Sequence, residues 1–267
     1  MIRKLQEKDR KKVLEYLYKE KSYNIFIIGD IETFGFDVEF QHVYGEFDQD
    51  ENYLSVLLFY RANAIYYSHQ TRFNDEYMEM YQKHNPKFLS GKRELTDLLL
   101  PYFPDYKQKP MHFCKATTIT EEVSLGNSEI KTLKTEKEFR ELFQLLRTID
   151  EFGVNNTTEE EYVASRKSSL QMGLHYGIYE NGELAATAAT TAETTQNAMI
   201  VGVATGKKYR KKGYASQLVV ALMKEYFENR NKELCLFYDN KAAGKIYLRL
   251  GFEDIGDWAM MDQKQNG

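Results

Sequence analysis

At 267 residues, 42% hydrophobic and 28% charged with only four prolines, the chain has a globular composition and room for one large domain or two ordinary ones. Its net charge of −4 gives no general attraction to nucleic acid or to anionic membranes. No apolar run reaches the roughly 18 residues of a membrane span, and the start, Met1 to Asp9, lacks the apolar segment of a secretory signal, so a cytoplasmic location is expected. Cys114 and Cys235 stand alone, without CxxC spacing, which argues against a disulfide framework and against a zinc site; no metal is expected.

In chain order, Ile2-Arg3-Lys4-Leu5 reads as a short strand that turns at Asp9 into an amphipathic helix. Gln41 to Phe47 and Tyr53 to Tyr60 are aromatic and β-branched runs on either side of Asp48-Gln49-Asp50, and Ala64 to Ser68 is a third short strand. Ile130-Lys131-Thr132-Leu133 repeats the opening pattern, and Thr135 with Glu138 has the spacing of a capping box. A boundary near 115 to 127 divides the chain into segments 1–120 and 121–267. Thr157 to Tyr162 starts a further helix, with acidic residues in its first turn.

Leu174 to Tyr179 and Leu184 to Thr190 flank Asn181-Gly182, a strong two-residue hairpin signal, and Ala198 to Ala204 is the next strand. Tyr214 to Phe227 has helical periodicity, Leu234 to Tyr238 is a buried strand, and Asn240 caps a helix that ends at Gly251. Between strand and helix lies Lys207-Lys208-Tyr209-Arg210-Lys211-Lys212-Gly213. A helix start offers unpaired N–H groups and partial positive charge, which suits phosphate. Gly213 lets the backbone approach closely, and the neighbouring cations add charge-assisted bonds. The plainer reading is a solvated basic loop. The pattern is neither a dinucleotide GxGxxG fingerprint nor a Walker A loop.

Val203-Ala204-Thr205 followed by Arg210-Lys211-Lys212-Gly213-Tyr214-Ala215 resembles the [QR]-x-x-G-x-[GA] motif of the GNAT superfamily of N-acetyltransferases. Asn240-Lys241-Ala242-Ala243, Tyr247 and Gly251-Phe252 resemble that family's N-x-x-A…Y…GF segment. The resemblance covers about 128 to 262. The first half keeps only the opening strand-helix pattern and looks like a degenerate GNAT-like domain, as in two-lobed members. The implied fold is α/β: two tandem GNAT-like domains, each a mixed β-sheet flanked by helices.

The resemblance implies acetyl-CoA in a V-shaped opening between the strand ending at Val203, Ala204 and Thr205 and the strand Leu234 to Tyr238. Its pantetheine arm pairs with backbone there, and its pyrophosphate sits on the amides from Lys211 to Ser216 beside Arg210. A backbone N–H near Val203 faces the oxyanion. Asn240 and Ala243 border the cofactor, although Asn240 also reads as a plain cap. Tyr247 is the implied general acid, or else a core tyrosine. Glu193 is the candidate base, with Asp150, Glu151, His175 or a well-placed water as alternatives, and Asp150, Glu151, Asn155 and Asn156 stand near the acceptor or else belong to a solvated helix start. The expected activity is acetyl transfer to an amine by direct attack, with acetyl-CoA and an unidentified amine acceptor as partners, in a monomer or homodimer without nucleic acid or membrane. The rivals are a non-catalytic acyl-CoA-binding or sensing protein and a nucleic-acid-binding patch at Lys207 to Lys212.

Overall fold

The structure, a computed structural model, describes residues 1–124, 129–149, 152–154, 157–168 and 170–263. They fall into two compact units. The first comprises Met1–Phe113, Phe237–Asp239 and the chain from Ile255; the second comprises Cys114–Leu236 and Asn240–Asp254.

The first unit begins with β1 (Ile2–Lys4), α1 (Arg10–Leu17), α2 (Ile25–Phe34), β2 (Gln41–Phe47), β3 (Tyr53–Tyr60) and β4 (Asn63–Tyr67). It continues with α3 (Met78–His84), β5 (Phe88–Lys92), α4 (Arg93–Leu99) and β6 (Tyr106–Ala116), whose last residues belong to the second unit. The Asp48 carboxylate sets the β2–β3 turn by accepting from the N–H groups of Asp50 and Asn52 at 2.9 and 2.8 Å. β1 to β4 pair antiparallel in chain order, and β4 pairs parallel with β5.

The second unit contains β7 (Ile130–Thr132), α5 (Glu136–Arg147), α6 (Glu159–Ser168), β8 (His175–Glu180), β9 (Glu183–Thr191), β10 (Asn197–Thr205), α7 (Tyr214–Lys224), β11 (Glu233–Tyr238), whose last two residues belong to the first unit, and α8 (Lys241–Leu250). The last strand, β12 (Glu253–Gln263), pairs antiparallel with β5 from Trp258 to Asp262, so the chain's end completes the first unit's sheet. Trp258 is fully buried there against Phe26 and Phe113, with ring centroids 5.6 and 5.7 Å away.

In the second unit β7, β8, β9 and β10 pair antiparallel in that order, and β10 pairs parallel with β11, giving a mixed sheet. Thr135 and Glu138 form the expected capping box at the start of α5. α5 lays Phe139, Leu142, Phe143 and Leu146 against Leu184, Ala204 and α6's Tyr162 and Val163. At the β8–β9 turn Asn181 and Gly182 have φ of 52° and 79°, as a primed hairpin turn requires. The helical period seen up to Phe227 ends as α-helix at Lys224 and continues as a π-turn, Glu225–Asn229. Glu225 accepts from Arg230 Nε at 2.9 Å across this turn. Cys114 and Cys235 are buried free thiols.

Candidate functional site

β10 carries the site's first feature. Its ladder with β11 covers Asn197 to Met199 against Glu233 to Cys235, and β10 then runs on to Thr205. Its pairing with β9 shifts register between Val201 and Ala204, where Gly202 takes φ +64°. Such a bulge bends the strand and re-aims its backbone groups. Val203, Ala204 and Thr205 therefore lie past the kink, where β10 pairs with β9 at Ala204 and Thr205 but has run beyond its ladder with β11.

The basic loop follows directly. Lys211 has φ +65° and Gly213 φ +82°. For lysine that conformation is uncommon and strained, and such outliers cluster at ligand sites. The first helical N–H to find a partner within α7 is that of Gln217, on Gly213 O at 3.0 Å. The N–H groups of Tyr214, Ala215 and Ser216 precede it, and no side chain caps the helix. A Cβ placed on Gly213 meets nothing within 4 Å. The result is an open, uncapped helix start reached through two left-handed residues, a concavity that favours anions.

The loop's cations divide into two groups. Lys212 pairs with Glu180 at 2.6 Å, and the same carboxylate accepts from Tyr214 Oη at 2.6 Å. Lys208 pairs with Glu183. Arg210 turns its Nε toward Thr205 O at 3.4 Å. Lys207, Arg210 and Lys211 stay exposed to solvent.

α8 supplies the other half of the sequence-derived site. Asn240 accepts from Ala242 N–H at 2.8 Å, so it is the helix cap, and Gly251 closes the helix at φ +113°. Ala243 is half-buried in the first turn. Tyr247 is buried, packs edge-on against Phe252 with centroids 6.0 Å apart, and has its phenol pushed up to about 12 by burial. Its hydroxyl stays protonated through the neutral range.

Glu193 stands elsewhere. It lies in the β9–β10 connection, at the end of β10 opposite Thr205. Its carboxylate accepts from Tyr226 Oη, Arg230 and Lys232 at 2.8, 2.8 and 2.6 Å. Burial alone raises its pKa, but these donors outweigh it and hold the carboxyl below the usual range. So engaged, it is a poor proton acceptor, and its geometry is that of a structural anchor. Asp150, Glu151, Asn155 and Asn156 lie outside the described residues.

His175, by contrast, is brought to the bulge. A cavity of about 250 Å³ is bounded by Leu142, Leu146, Phe152 and Val154 on one side and by His175, Val201 and Gly202 on another. Tyr162 and Arg166 of α6, with Thr187 and Ala189 of β9, complete its wall, the Arg166 guanidinium lying 5.2 Å from the Tyr162 ring centre. Burial, helped by Arg166, lowers the His175 imidazole to about 4, so it is neutral at pH 7. A larger groove of about 710 Å³ runs along α5 beside Leu145, Leu184 and Tyr209. Its rim carboxylate Glu183 is already bound by Lys208 and Tyr209.

Two features escape sequence reading. The bulge leaves no mark beyond a glycine in a strand, and the cavity draws on five elements that only the fold assembles. Among the described residues no helix is long and apolar enough to cross a membrane, and no three His, Cys, Asp or Glu side chains gather as a metal group would.

Residues 139–252 match the model of the acetyltransferase (GNAT) family. A Drosophila malonogaster protein of solved structure is 11% identical over 100% of this chain and 99% of its own, with a TM-score of 0.73. A GCN5-related N-acetyltransferase from Sphaerobacter thermophilus is 13% identical over 100% and 96%, with a TM-score of 0.65. A tandem GNAT protein from the clavulanic acid biosynthesis pathway is 11% identical over 100% and 99%, with a TM-score of 0.63. No curated protein matches the sequence. At these identities the structural likeness speaks for fold alone. Residues 139–252 thus form a domain of the GNAT acetyltransferase family, in a chain that has the fold of tandem GNAT proteins over its whole length.

Proposed function

We propose that the chain is an acyl-CoA-dependent N-acyltransferase that moves an acetyl group from acetyl-CoA to the amine of a small acceptor. The observation that carries this reading is the pair of left-handed residues, Lys211 and Gly213, leading into the uncapped start of α7. That concavity fits a diphosphate: three backbone donors converge, no Cβ blocks the approach, and Arg210 and Lys211 add charge. Val203 to Thr205 would hold the pantetheine arm by strand-like pairing, and Asn240 and Ala243 would border it.

Acetyl-CoA supplies an activated thioester. The amine nitrogen bonds to its carbonyl carbon, the carbon–sulfur bond breaks, and sulfur leaves with the electron pair. Tyr247, protonated and buried, gives that sulfur its proton. The nitrogen gives up its surplus proton to solvent water, from which Tyr247 is reprotonated after each turnover. Backbone N–H at the bulged end of β10 faces the oxyanion. The cavity beside the bulge receives the acceptor, where neutral His175 accepts a hydrogen bond from the amine and its apolar walls favour a small, largely apolar molecule. The reading has no catalytic role for Glu193.

Calorimetry with acetyl-CoA on the native chain and on Gly213→Glu tests it. One-to-one binding that the variant loses supports the assignment, because the new carboxylate would occupy the diphosphate's place. A native chain that ignores acetyl-CoA and longer acyl-CoAs overturns it. Binding without turnover across a broad amine panel would favour the alternative, an acyl-CoA sensor.

A further inference from the structure

His175 is 4% exposed, yet its imidazole makes no hydrogen bond to any described residue. The ring meets Phe139 edge-on, with centroids 5.7 Å apart, and borders the cavity at the bulge of β10. A neutral imidazole carries one donor and one acceptor, and a buried polar group with neither satisfied calls for a ligand. Arg166 borders the same cavity, with its guanidinium over the Tyr162 ring. That stacking fixes the plane of the guanidinium, whose N–H groups all point outward within it, the arrangement that suits a carboxylate. The two groups are neighbours, since the charge of Arg166 adds to burial in keeping His175 neutral. Among the described lining residues Arg166 alone is permanently charged and none is acidic. The rest of the wall, with Leu142, Leu146 and Val154, is largely apolar.

We propose that the acceptor is a small apolar amino acid, whose carboxylate is held by Arg166 while its amine faces His175. This rests on the reading of the cavity as the acceptor's site, and it adds a second functional group to the molecule that site takes. A simple amine would leave the guanidinium facing an apolar ligand, whereas a carboxylate on the same molecule gives that charge a partner inside the cavity. The volume sets the size. About 250 Å³ is room for about eight waters, the scale of alanine to leucine and too little for an indole side chain. The apolar wall takes the side chain, and a second carboxylate there would be buried without a cation of its own.

The test is calorimetry on the full chain held with saturating coenzyme A, titrated with alanine, valine, leucine and methionine and with the amide of each. An amide keeps the amine and the side chain and removes only the carboxylate's charge. The native chain should bind at least one of the amino acids about tenfold to a hundredfold more tightly than its amide. Arg166→Gln should bring that amino acid down to the level of its amide, and Arg166→Lys, which keeps the charge but not the fork, should restore part of the difference. Retained coenzyme A binding and an unchanged melting curve show that the variants are folded. Equal affinities for acid and amide in the native chain overturn the proposal, as does a coenzyme-loaded chain that takes none of the four amino acids; the coenzyme assignment stands in both cases. An equal loss of acid and amide in Arg166→Gln also overturns it, because it makes the arginine a brace between α6 and the sheet. If the native chain does not take up coenzyme A at all, the underlying acyl-CoA reading falls as well.

Discussion

The Glu193 carboxylate receives the Arg230 guanidinium at 2.8 and 3.0 Å while its Oε2 also accepts from Tyr226 Oη at 2.8 Å. Thr190 Oγ1 lies 2.7 Å from the same phenol, so the β9–β10 connection is tied to the π-turn that follows α7. Lys232 completes the cage. Glu193→Gln should therefore destabilise the fold by about 1–3 kcal/mol, since it leaves partly buried cations without their anion. It should leave the pH dependence of turnover unchanged. Thermal melting and a pH–rate profile check the two halves; an altered alkaline or acid limb would make Glu193 a proton carrier after all.

Tyr247→Phe separates chemistry from binding. The ring stays buried against Phe252 and only the hydroxyl is lost. Turnover, followed as free thiol released with an amine, should fall by about 10²–10⁴ with acetyl-CoA affinity nearly unchanged. A variant with full turnover would reduce Tyr247 to a packing residue.

The parts of the site legible in the sequence are those whose cause is local. Gly213, Asn181-Gly182, the Thr135–Glu138 box and the pair Asn240 and Gly251 each act on backbone within a few residues, and each stands where local chemistry calls for it. The hidden parts depend on distant partners. Nothing near Glu193 announces Arg230 and Lys232, and nothing in β12 says that Trp258 will sit opposite Lys92. In the first unit, Ile25–Phe34 is apolar nearly all round, so α2 has no 3.6-residue contrast to detect. Arg166 reads as an ordinary charge near a helix end until the fold brings it to His175.

Acid should weaken the second unit before its carboxylates titrate. His175 has a folded pKa of about 4, against 6.5 for the free side chain, because burial disfavours its charged form. Its neutral state is thus compatible with the fold above pH 6.5. Stability falls as pH drops below that value, because the unfolded chain takes up the proton first, and the loss is complete below about 4. The full span amounts to about 3 kcal/mol. Denaturant titrations at stepped pH should show this decline, and His175→Gln should flatten it. His84 in the first unit, also lowered to about 4, chiefly by burial, shifts stability in the same direction. Stability that holds level between pH 6.5 and 5 in the native chain would contradict the burial assigned to both rings.

Two glycines separate steric crowding from backbone strain. A Cβ on Gly173 falls 2.2 Å from Thr190 O and 2.8 Å from Thr190 Oγ1. Thr190 cannot step aside freely, because its N–H donates to Leu174 O at 2.8 Å and its hydroxyl accepts from Leu174 N–H at 2.8 Å. Gly173→Ala must therefore push β9 itself, at a cost of about 2–3 kcal/mol. At Gly182 a Cβ meets nothing within 4 Å, but φ is +79°. Gly182→Ala should cost only the left-handed penalty, about 1 kcal/mol. Because Thr190 also touches Tyr226, the first substitution should loosen the Glu193 cage as well, so its loss should add less than fully to that of Glu193→Gln. Denaturation of the two single glycine variants and of the Gly173→Ala, Glu193→Gln double variant measures both claims. A Gly182 variant less stable than the Gly173 variant would show that dihedral strain, not the contact with Thr190, governs this hairpin.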